Sequence, residues 1–294
     1  MKVIVRIKGG LGNQLFEYAA ARRMAVKNNA ELAVDNLSGF ARDIAYRRTC
    51  QLHHFRIPAR LATRAERLQP LERFRRALLK FRSWKVEFSA KKYLEQEGVD
   101  FDERIIDYRV NDTVILDGYW QSERYFNDIQ QVIREDLAII PPSDKINQDV
   151  AKHIQQRKAV AVHVRFFDTP REDSSNNASN DYYNRSIDKM ETLVPNAHYY
   201  IFSDLPAEAR LRIPLPDERI TLVAHNQGDA LAYADLWLMT QCQHFIIANS
   251  TFSWWGAWLA HHQGKKIIAP GFEKRDGKMC WGFNGLLPED WIKL

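Results

Sequence analysis

Apolar residues along this chain alternate between two patterns. Short β-branched and aromatic runs are separated by longer stretches in which apolar positions return every three or four residues. Val3-Ile4-Val5-Arg6-Ile7 is the first run and predicts a strand. Glycines end it. Leu15, Phe16, Ala19, Ala20 and Met24 then recur at helical spacing, and Glu31-Leu32-Ala33-Val34-Asp35 predicts a second strand. Strand, glycine loop, helix and strand in that order open a doubly wound sheet. Residues 40–110 are rich in charge and aromatics without clear alternation, and predict helices and loops. Thr113-Val114-Ile115-Leu116 predicts a buried strand, and Ile129 to Leu137 a helix. Pro141-Pro142-Ser143 marks a break, so two domains are expected, 1–142 and 143–294.

A second α/β series follows the break. Strands are predicted at Ala159–Val164, His198–Phe202, Ile220–Val223 and His244–Ala248, with Lys266–Ala269 as the last. Helices are predicted between them at Asp181–Leu193, Asp229–Cys242 and Phe252–His261. Strands alternating with helices imply parallel sheets, whose ligands sit beyond the carboxyl ends of the strands. The polar clusters described below fall at such ends.

Composition narrows the class. The 294 residues are 45% hydrophobic and 27% charged, which suits two ordinary globular domains of about 150 residues each. No apolar run approaches the roughly 20 residues of a membrane-spanning helix. The N-terminus lacks the apolar stretch of a signal peptide, so a cytoplasmic location is expected. Cys50, Cys242 and Cys280 are odd in number and far apart. They show neither a disulfide framework nor zinc spacing, and Cys242 reads as core.

The formal charge of +5 is concentrated in residues 64–92. That segment holds Arg64, Arg67, Arg73, Arg75, Arg76, Lys80, Arg82, Lys85, Lys91 and Lys92 against Glu66, Glu72 and Glu87. Leu71, Phe74, Leu78, Phe81 and Trp84 punctuate it. Such a stretch can lie on an anionic membrane surface, at the inner face of the membrane, or can simply be a solvated helix face. No nucleic-acid-binding motif accompanies the charge, so no nucleic-acid partner is expected.

Three clusters carry candidate chemistry. The first is Gly9-Gly10-Leu11-Gly12-Asn13-Gln14. Glycines let a backbone approach an anion, and the following helix directs N–H groups at it. A purely structural tight turn is the alternative. Leu15 breaks the dinucleotide pattern Gly-x-Gly-x-x-Gly, and no Lys-Ser/Thr completes a P-loop. Side-chain amides at Asn13 and Gln14 suit hydroxyl and phosphate oxygens. The second cluster is His163-Val164-Arg165 with Asp168 beyond it. Alternation puts His163 and Arg165 on one side, and arginine binds phosphate in a fork that lysine cannot copy. A surface salt bridge is the alternative. The third runs from Asn249 to Trp258. Its small hydroxyl residues can cap a helix and bind phosphate, and its tryptophans offer flat faces to a sugar or base. Trp258 is spaced for the core.

Together these clusters resemble the α-1,2-fucosyltransferase family. The likeness is carried by Gly-Gly-Leu-Gly-Asn-Gln-Leu-Phe-Glu-Tyr-Ala (9–19), Gly-Tyr-Trp-Gln-Ser-Glu-Arg-Tyr-Phe (118–126), Phe-Ser-Asp (202–204) and Ile-Ile-Ala-Asn-Ser-Thr-Phe-Ser-Trp-Trp-Gly-Ala-Trp-Leu (246–259). The resemblance implies an α/β protein with two Rossmann-like domains facing across a cleft, the GT-B type. The first domain would be the acceptor side and the second would bind GDP-fucose. It implies transfer of fucose to a galactoside hydroxyl in α-1,2 linkage, with inversion and with neither metal nor cofactor. Arg165 would hold the pyrophosphate, with Asn13, Gly10, Gly12 and Gln14 near the same phosphates. His163 and Asp204 would contact the nucleoside. Asn249, Ser250, Thr251, Phe252 and Ser253 would complete the donor side. Arg165, Asp168 and Asn13 are the catalytic candidates, with Asp168 as base, and Trp120 and Gln121 the acceptor candidates. The acceptor expected is a surface-polysaccharide glycan, lipid-linked in bacterial relatives.

Two departures stand out. The family pattern His-x-Arg-Arg-Gly-Asp here reads His-Val-Arg-Phe-Phe-Asp, and Phe-Ser-Asp-Asp reads Phe-Ser-Asp-Leu. Phe166, Phe167 and Leu205 therefore admit three outcomes: another GDP-linked deoxy-sugar, an aromatic wall beside the acceptor, or a non-catalytic binding protein. Two rivals are weaker. Asp100-Phe101-Asp102 has the spacing of a metal-binding pair in the other common transferase fold. Asp35 sits where a dinucleotide-binding fold would place a ribose-binding acid.

Overall fold

The computed structural model describes the chain except Ala45, residues 168–176, Phe272, residues 276–277, Gly282 and Asn284, and gives the backbone alone for 273–275 and 278–281. The chain divides into two compact units. One is Met1–Ala138 with residues 284–286, and the other is Ile139–Phe283 with Leu287–Leu294. The division falls just ahead of the Pro141-Pro142-Ser143 break.

The first unit contains β1 (Lys2–Arg6), α1 (Leu11–Lys27), β2 (Glu31–Asp35), β3 (Arg60–Leu61), α2 (Glu72–Trp84), β4 (Tyr93–Glu95), β5 (Thr113–Asp117) and α3 (Gln130–Asp136). Its sheet runs β3-β2-β1-β5-β4, all parallel. The apolar runs become strands because a parallel sheet buries both faces. Val3, Val5 and Leu116 are fully buried at its centre. α1 carries Leu15, Phe16, Tyr18 and the Ala19–Ala21 run, and is buried on nearly every side. Small residues there allow a close approach of the helix to the sheet. β3 and β4 correct the reading of 40–110 as helices and loops. Two or three residues are too short to show a period, and pairing with β2 and β5 makes these segments strands.

The second unit contains α4 (Lys145–Gln155), β6 (Ala159–Val164), α5 (Asn180–Leu193), β7 (His198–Ser203), α6 (Pro206–Arg210), β8 (Ile220–Val223), α7 (Ala232–Gln241), β9 (His244–Ile246), α8 (Thr251–Leu259), β10 (Ile267–Ala269), β11 (Glu273–Arg275), β12 (Lys278–Trp281) and β13 (Ile292–Lys293). A parallel sheet runs β13-β10-β9-β6-β7-β8. β11 and β12 form a separate antiparallel hairpin. Every residue of β6 is buried. β10 is not the last strand, since β13 pairs with it through Ile268 and Ile292. α4, absent from the expected elements although Ile146, Val150, Ala151 and Ile154 recur at helical spacing, starts at an Asp144 cap whose carboxylate accepts from Asn147 N at 2.9 Å. Cys242 is buried in the core. Among the described residues no helix is long and apolar enough to cross a membrane.

Both units are thus Rossmann-like parallel α/β structures. Each has a topological switch point, where successive strands leave a central strand on opposite sides. In the first unit it lies between β1 and β5, and in the second between β6 and β9.

The loop after β2 is clamped against the end of β1. Ile7 N donates to Asp35 O at 3.1 Å, and Asp35 Oδ1 accepts from Leu37 N and Ser38 N at 3.2 and 3.0 Å. Asp35 is therefore consumed in its own turn. A Cβ on Gly39 would stand 2.0 Å from the Ile7 carbonyl oxygen. Gly39→Ala is expected to cost about 1–3 kcal/mol of stability, because the backbone must shift to relieve the overlap. Urea denaturation measures this, and an unchanged midpoint would show that the loop is not clamped.

Candidate functional site

Three neighbouring strands of the second unit end together. β6 delivers His163 and Arg165, β7 delivers Asp204, and β9 leads to Asn249 and Ser250. The register sets Val164 beside Ser203 and Val162 beside both Ile201 and Ile246, so these exits are adjacent. Arg165 Nη1 lies 2.9 Å from Asp204 Oδ2, and both side chains are partly exposed. Asp204 Oδ1 accepts from Phe166 N at 3.2 Å. The carboxylate thus grips the guanidinium while the next backbone amide grips the carboxylate.

Ser250 caps α8, its Oγ accepting from Phe252 N at 3.3 Å. The amino end of this helix carries partial positive charge and stands at the switch point. Ser253, one turn in, is fully buried, and its Oγ donates to Ser250 O at 3.3 Å. His163 Nδ1 lies 2.9 Å from the same hydroxyl, and the Phe252 ring packs 5.4 Å from the imidazole. β6 is thereby tied to α8. Burial first, and the Arg165 charge second, push His163 down to about 3. It is neutral at working pH and acts as a hydrogen-bonding group. Asn249 is buried and Thr251 half-buried beside these groups.

Alternation sends Phe166 the other way. Its ring joins the core cluster of Val164, Tyr183 and Ile201, with the Arg212 guanidinium 4.8 Å from its centroid. Phe166 therefore neither walls nor blocks the site. Phe167 is exposed, and the Arg165 guanidinium lies 5.4 Å from its ring centroid. Leu205 is exposed as well. Asp168 lies outside the described residues. The tryptophan reading is corrected. Trp254 and Trp255 are fully buried, and Trp254 packs against Trp258 and Trp291, so neither offers a face to a sugar. A sequence run cannot reveal this, because an indole serves equally as core or as platform.

The first unit gathers a different set. Gly9 has φ +73°, a left-handed conformation that favours glycine. Gly10 caps α1 with no side chain to satisfy the first N–H groups, and Gly12 is buried in the first turn. Gln14 is committed elsewhere than to a ligand. It is fully buried, its Nε2 donates to Gly9 O and Thr49 O at 3.0 Å each, and its Oε1 accepts from Gln51 N at 2.8 Å. It is the bracket that holds the turn. Asn13 remains half-buried, and its Oδ1 accepts from Gln121 Nε2 at 2.8 Å. Trp120 is buried edge-on against Tyr125.

Lys8, Arg6, Asp117 and Glu17 went unnoticed in the sequence. Lys8 Nζ lies 2.6 Å and Arg6 Nη1 3.3 Å from the Asp117 carboxylate. Burial alone would raise Asp117, but these cations outweigh it and hold the carboxyl at about 2. Glu17 is fully buried, and burial pushes its carboxyl well above the usual range. The signal was present, since Lys8 and Asp117 each border a glycine motif. Asp102, from the proposed metal pair, instead accepts from Arg104 N and Nε at 3.0 and 2.8 Å.

Two Rossmann-like units, with an anion-suited arginine and a helix start at the switch point of the second, form an α/β architecture suited to holding an anionic ligand. Residues 2–279 match the model of glycosyl transferase family 11. The chain belongs to this family and is a glycosyltransferase. It is 28% identical to an α-1,2-colitosyltransferase of Escherichia coli, over 99% of this chain and 98% of that protein. It is likewise 28% identical to the O-antigen biosynthesis glycosyltransferase WbnK of Escherichia coli, over 90% and 92%. Solved structures share the fold. NodZ α-1,6-fucosyltransferase from Bradyrhizobium, co-crystallised with GDP, has a TM-score of 0.51 at 14% identity, covering 88% of this chain and 92% of NodZ. A mutant of Arabidopsis thaliana FUT1 in complex with GDP has a TM-score of 0.53 at 14% identity, covering 99% and 76%.

The buried imidazole makes a pH prediction. His163 titrates near 6.5 when unfolded and at about 3 in the fold, so the unfolded chain binds the extra proton between those values. Stability is full above pH 6.5 and falls as pH drops toward 3, by up to about 1.4 kcal/mol per pH unit from this group. His153 and His198 shift the same way, so His163→Asn should reduce the slope without abolishing it. Unfolding free energy against pH tests this, and identical slopes in both proteins would place the acid sensitivity elsewhere.

Proposed function

We propose that this chain transfers L-fucose from GDP-fucose to a galactoside hydroxyl, in α-1,2 linkage and with inversion, during O-antigen or related surface-polysaccharide assembly. The Arg165–Asp204 pair beside the start of α8 carries the reading. As the sugar C1–O bond breaks, negative charge grows on the departing β-phosphate. A held guanidinium and helix N–H groups are already oriented to stabilise that charge. The acceptor oxygen attacks C1 from the opposite face and loses its proton to a base, for which Asp168 is the candidate. His163 and Asp204 are assigned to the nucleoside, Ser250 to the phosphate side and Gln121 to the acceptor, while Trp120, packed in the core against Tyr125, and the buried Ser253 support these groups from behind rather than touching a ligand. The reading uses no metal or cofactor.

A second donor has specific support. The relative named for colitose transfer spans nearly the whole chain, and Phe167 sets an apolar ring beside Arg165. GDP-colitose, whose sugar is fucose lacking its 3-hydroxyl, fits a pocket with fewer polar partners. A pocket that merely tolerates the hydroxyl discriminates by about 10²-fold or less, whereas one built to bond it discriminates by about 10⁴-fold or more. The ratio of kcat/KM for GDP-fucose and GDP-colitose with one galactoside acceptor therefore decides between donors. Turnover of neither would end both readings.

Arg165→Ala is expected to lower kcat by about 10²–10³ at saturating donor, with Arg165→Lys only a partial rescue. Near-normal turnover of Arg165→Ala would refute the phosphate role. Full activity in excess EDTA is also expected, and loss of activity restored by a divalent ion would overturn the metal-free reading.

A further inference from the structure

Helix α2 is built inside out. Of its apolar residues Leu79 turns inward, packing against the cluster of Ile4, Ala33, Ala62, Tyr93 and Ile115. Two polar residues share that inner face. Arg76 donates to Ser38 Oγ at 2.8 Å, and Ser83 Oγ accepts from Tyr93 N at 3.1 Å. Phe74, Leu78, Phe81 and Trp84, following Leu71, fall on the opposite face at helical spacing. Their exposure runs from 37% for Leu78 to 77% for Trp84.

Charge borders this stripe on both sides. At 100° per residue, Arg73 lies along one edge and Arg75 and Arg82 along the other. Among the described residues none of the three pairs with a carboxylate, while Glu72 is spent on Arg76 at 2.8 Å. Lys85 closes the end, its Nζ 4.3 Å from the Phe81 ring centroid. A contiguous exposed apolar stripe marks a surface that meets something. A second copy is a poor match, because an isologous contact sets the same arginines against one another. An anionic lipid surface matches both features. The rings and leucines enter the headgroup–acyl boundary while the arginines reach back to phosphate.

We propose that α2 is a docking helix for an anionic membrane surface, lying in its plane with Phe74, Leu78, Phe81 and Trp84 inserted. The inference does not depend on the identity of the donor or acceptor.

The full chain is sedimented with vesicles of phosphatidylcholine, and of phosphatidylcholine with about a third phosphatidylglycerol. Binding to the anionic vesicles alone, weakening with salt, is expected. The other tryptophans with described side chains are all buried, so a blue shift on vesicle addition reports Trp84. Trp84→Phe should abolish the shift and keep the sedimentation. Phe74→Ser/Phe81→Ser/Trp84→Ser and, separately, Arg73→Gln/Arg75→Gln/Arg82→Gln should each weaken partitioning by about ten-fold or more. Melting temperature and donor turnover should be unchanged, since these side chains face solvent. The proposal is overturned if the native chain ignores anionic vesicles, or if the aromatic variant binds them equally. It is also overturned if sedimentation velocity shows a dimer that the aromatic variant abolishes, which would make the stripe a contact between copies.

Discussion

The register of β6 against its neighbours is the constraint on which the second-unit site depends. β6 pairs with β7 so that Val164 meets Ser203, and with β9 so that Val162 meets Ile246. Those pairings end three strands at one level. Arg165 then reaches Asp204 at 2.9 Å, and His163 reaches Ser253 at 2.9 Å. A slip of one residue would turn His163 and Arg165 to the opposite face and bring Phe166 out of the core. The apolar side chains of β6, buried throughout, oppose that slip. Burial in the core thus sets the geometry of the polar groups at its edge.

The two units handle charge differently at equivalent places. Beside the glycine turn Asp117 is almost fully buried and is satisfied by Lys8, Arg6 and the Tyr93 hydroxyl. A closed cluster of this kind holds the ends of β1 and β5 together and leaves little charge to offer outward. In the second unit Arg165 and Asp204 remain partly exposed, and the neutral His163 stands behind them. One carboxylate on a forked guanidinium leaves donors for an incoming phosphate. Within the second unit, positive charge available to an anion therefore stands at the carboxyl end of β6, beside the ends of β7 and β9.

The departures from the family pattern acquire distinct meanings in the fold. Phe166 replaces a cation with a core side chain, because its position alternates away from the Arg165 face. Phe167 stays at the surface beside Arg165 and is placed to influence what binds there. In the linear sequence the two phenylalanines are adjacent and indistinguishable. The same ambiguity applied to the tryptophans of α8, which pack with Trp291 in the core.

Much of the fold was legible in the residues themselves. Buried parallel strands need continuous apolar runs, and β1, β2, β5, β6, β7, β8, β9 and β10 were visible for that reason. Gly9 was legible as a turn, and Arg165 and Ser250 as groups at strand ends. Tertiary structure decided the rest. β3, β4 and β13 are too short to carry a period and exist through their partners. Gln14 looked like a ligand group and is a bracket for the turn, since its bonds run to Thr49 and Gln51, distant in sequence. Whether α2 shows its apolar face to the core or to solvent was equally undetermined, because amphipathic spacing defines a stripe without saying what it meets. Local pattern specifies which residues share a face. Packing of distant segments decides which way that face turns.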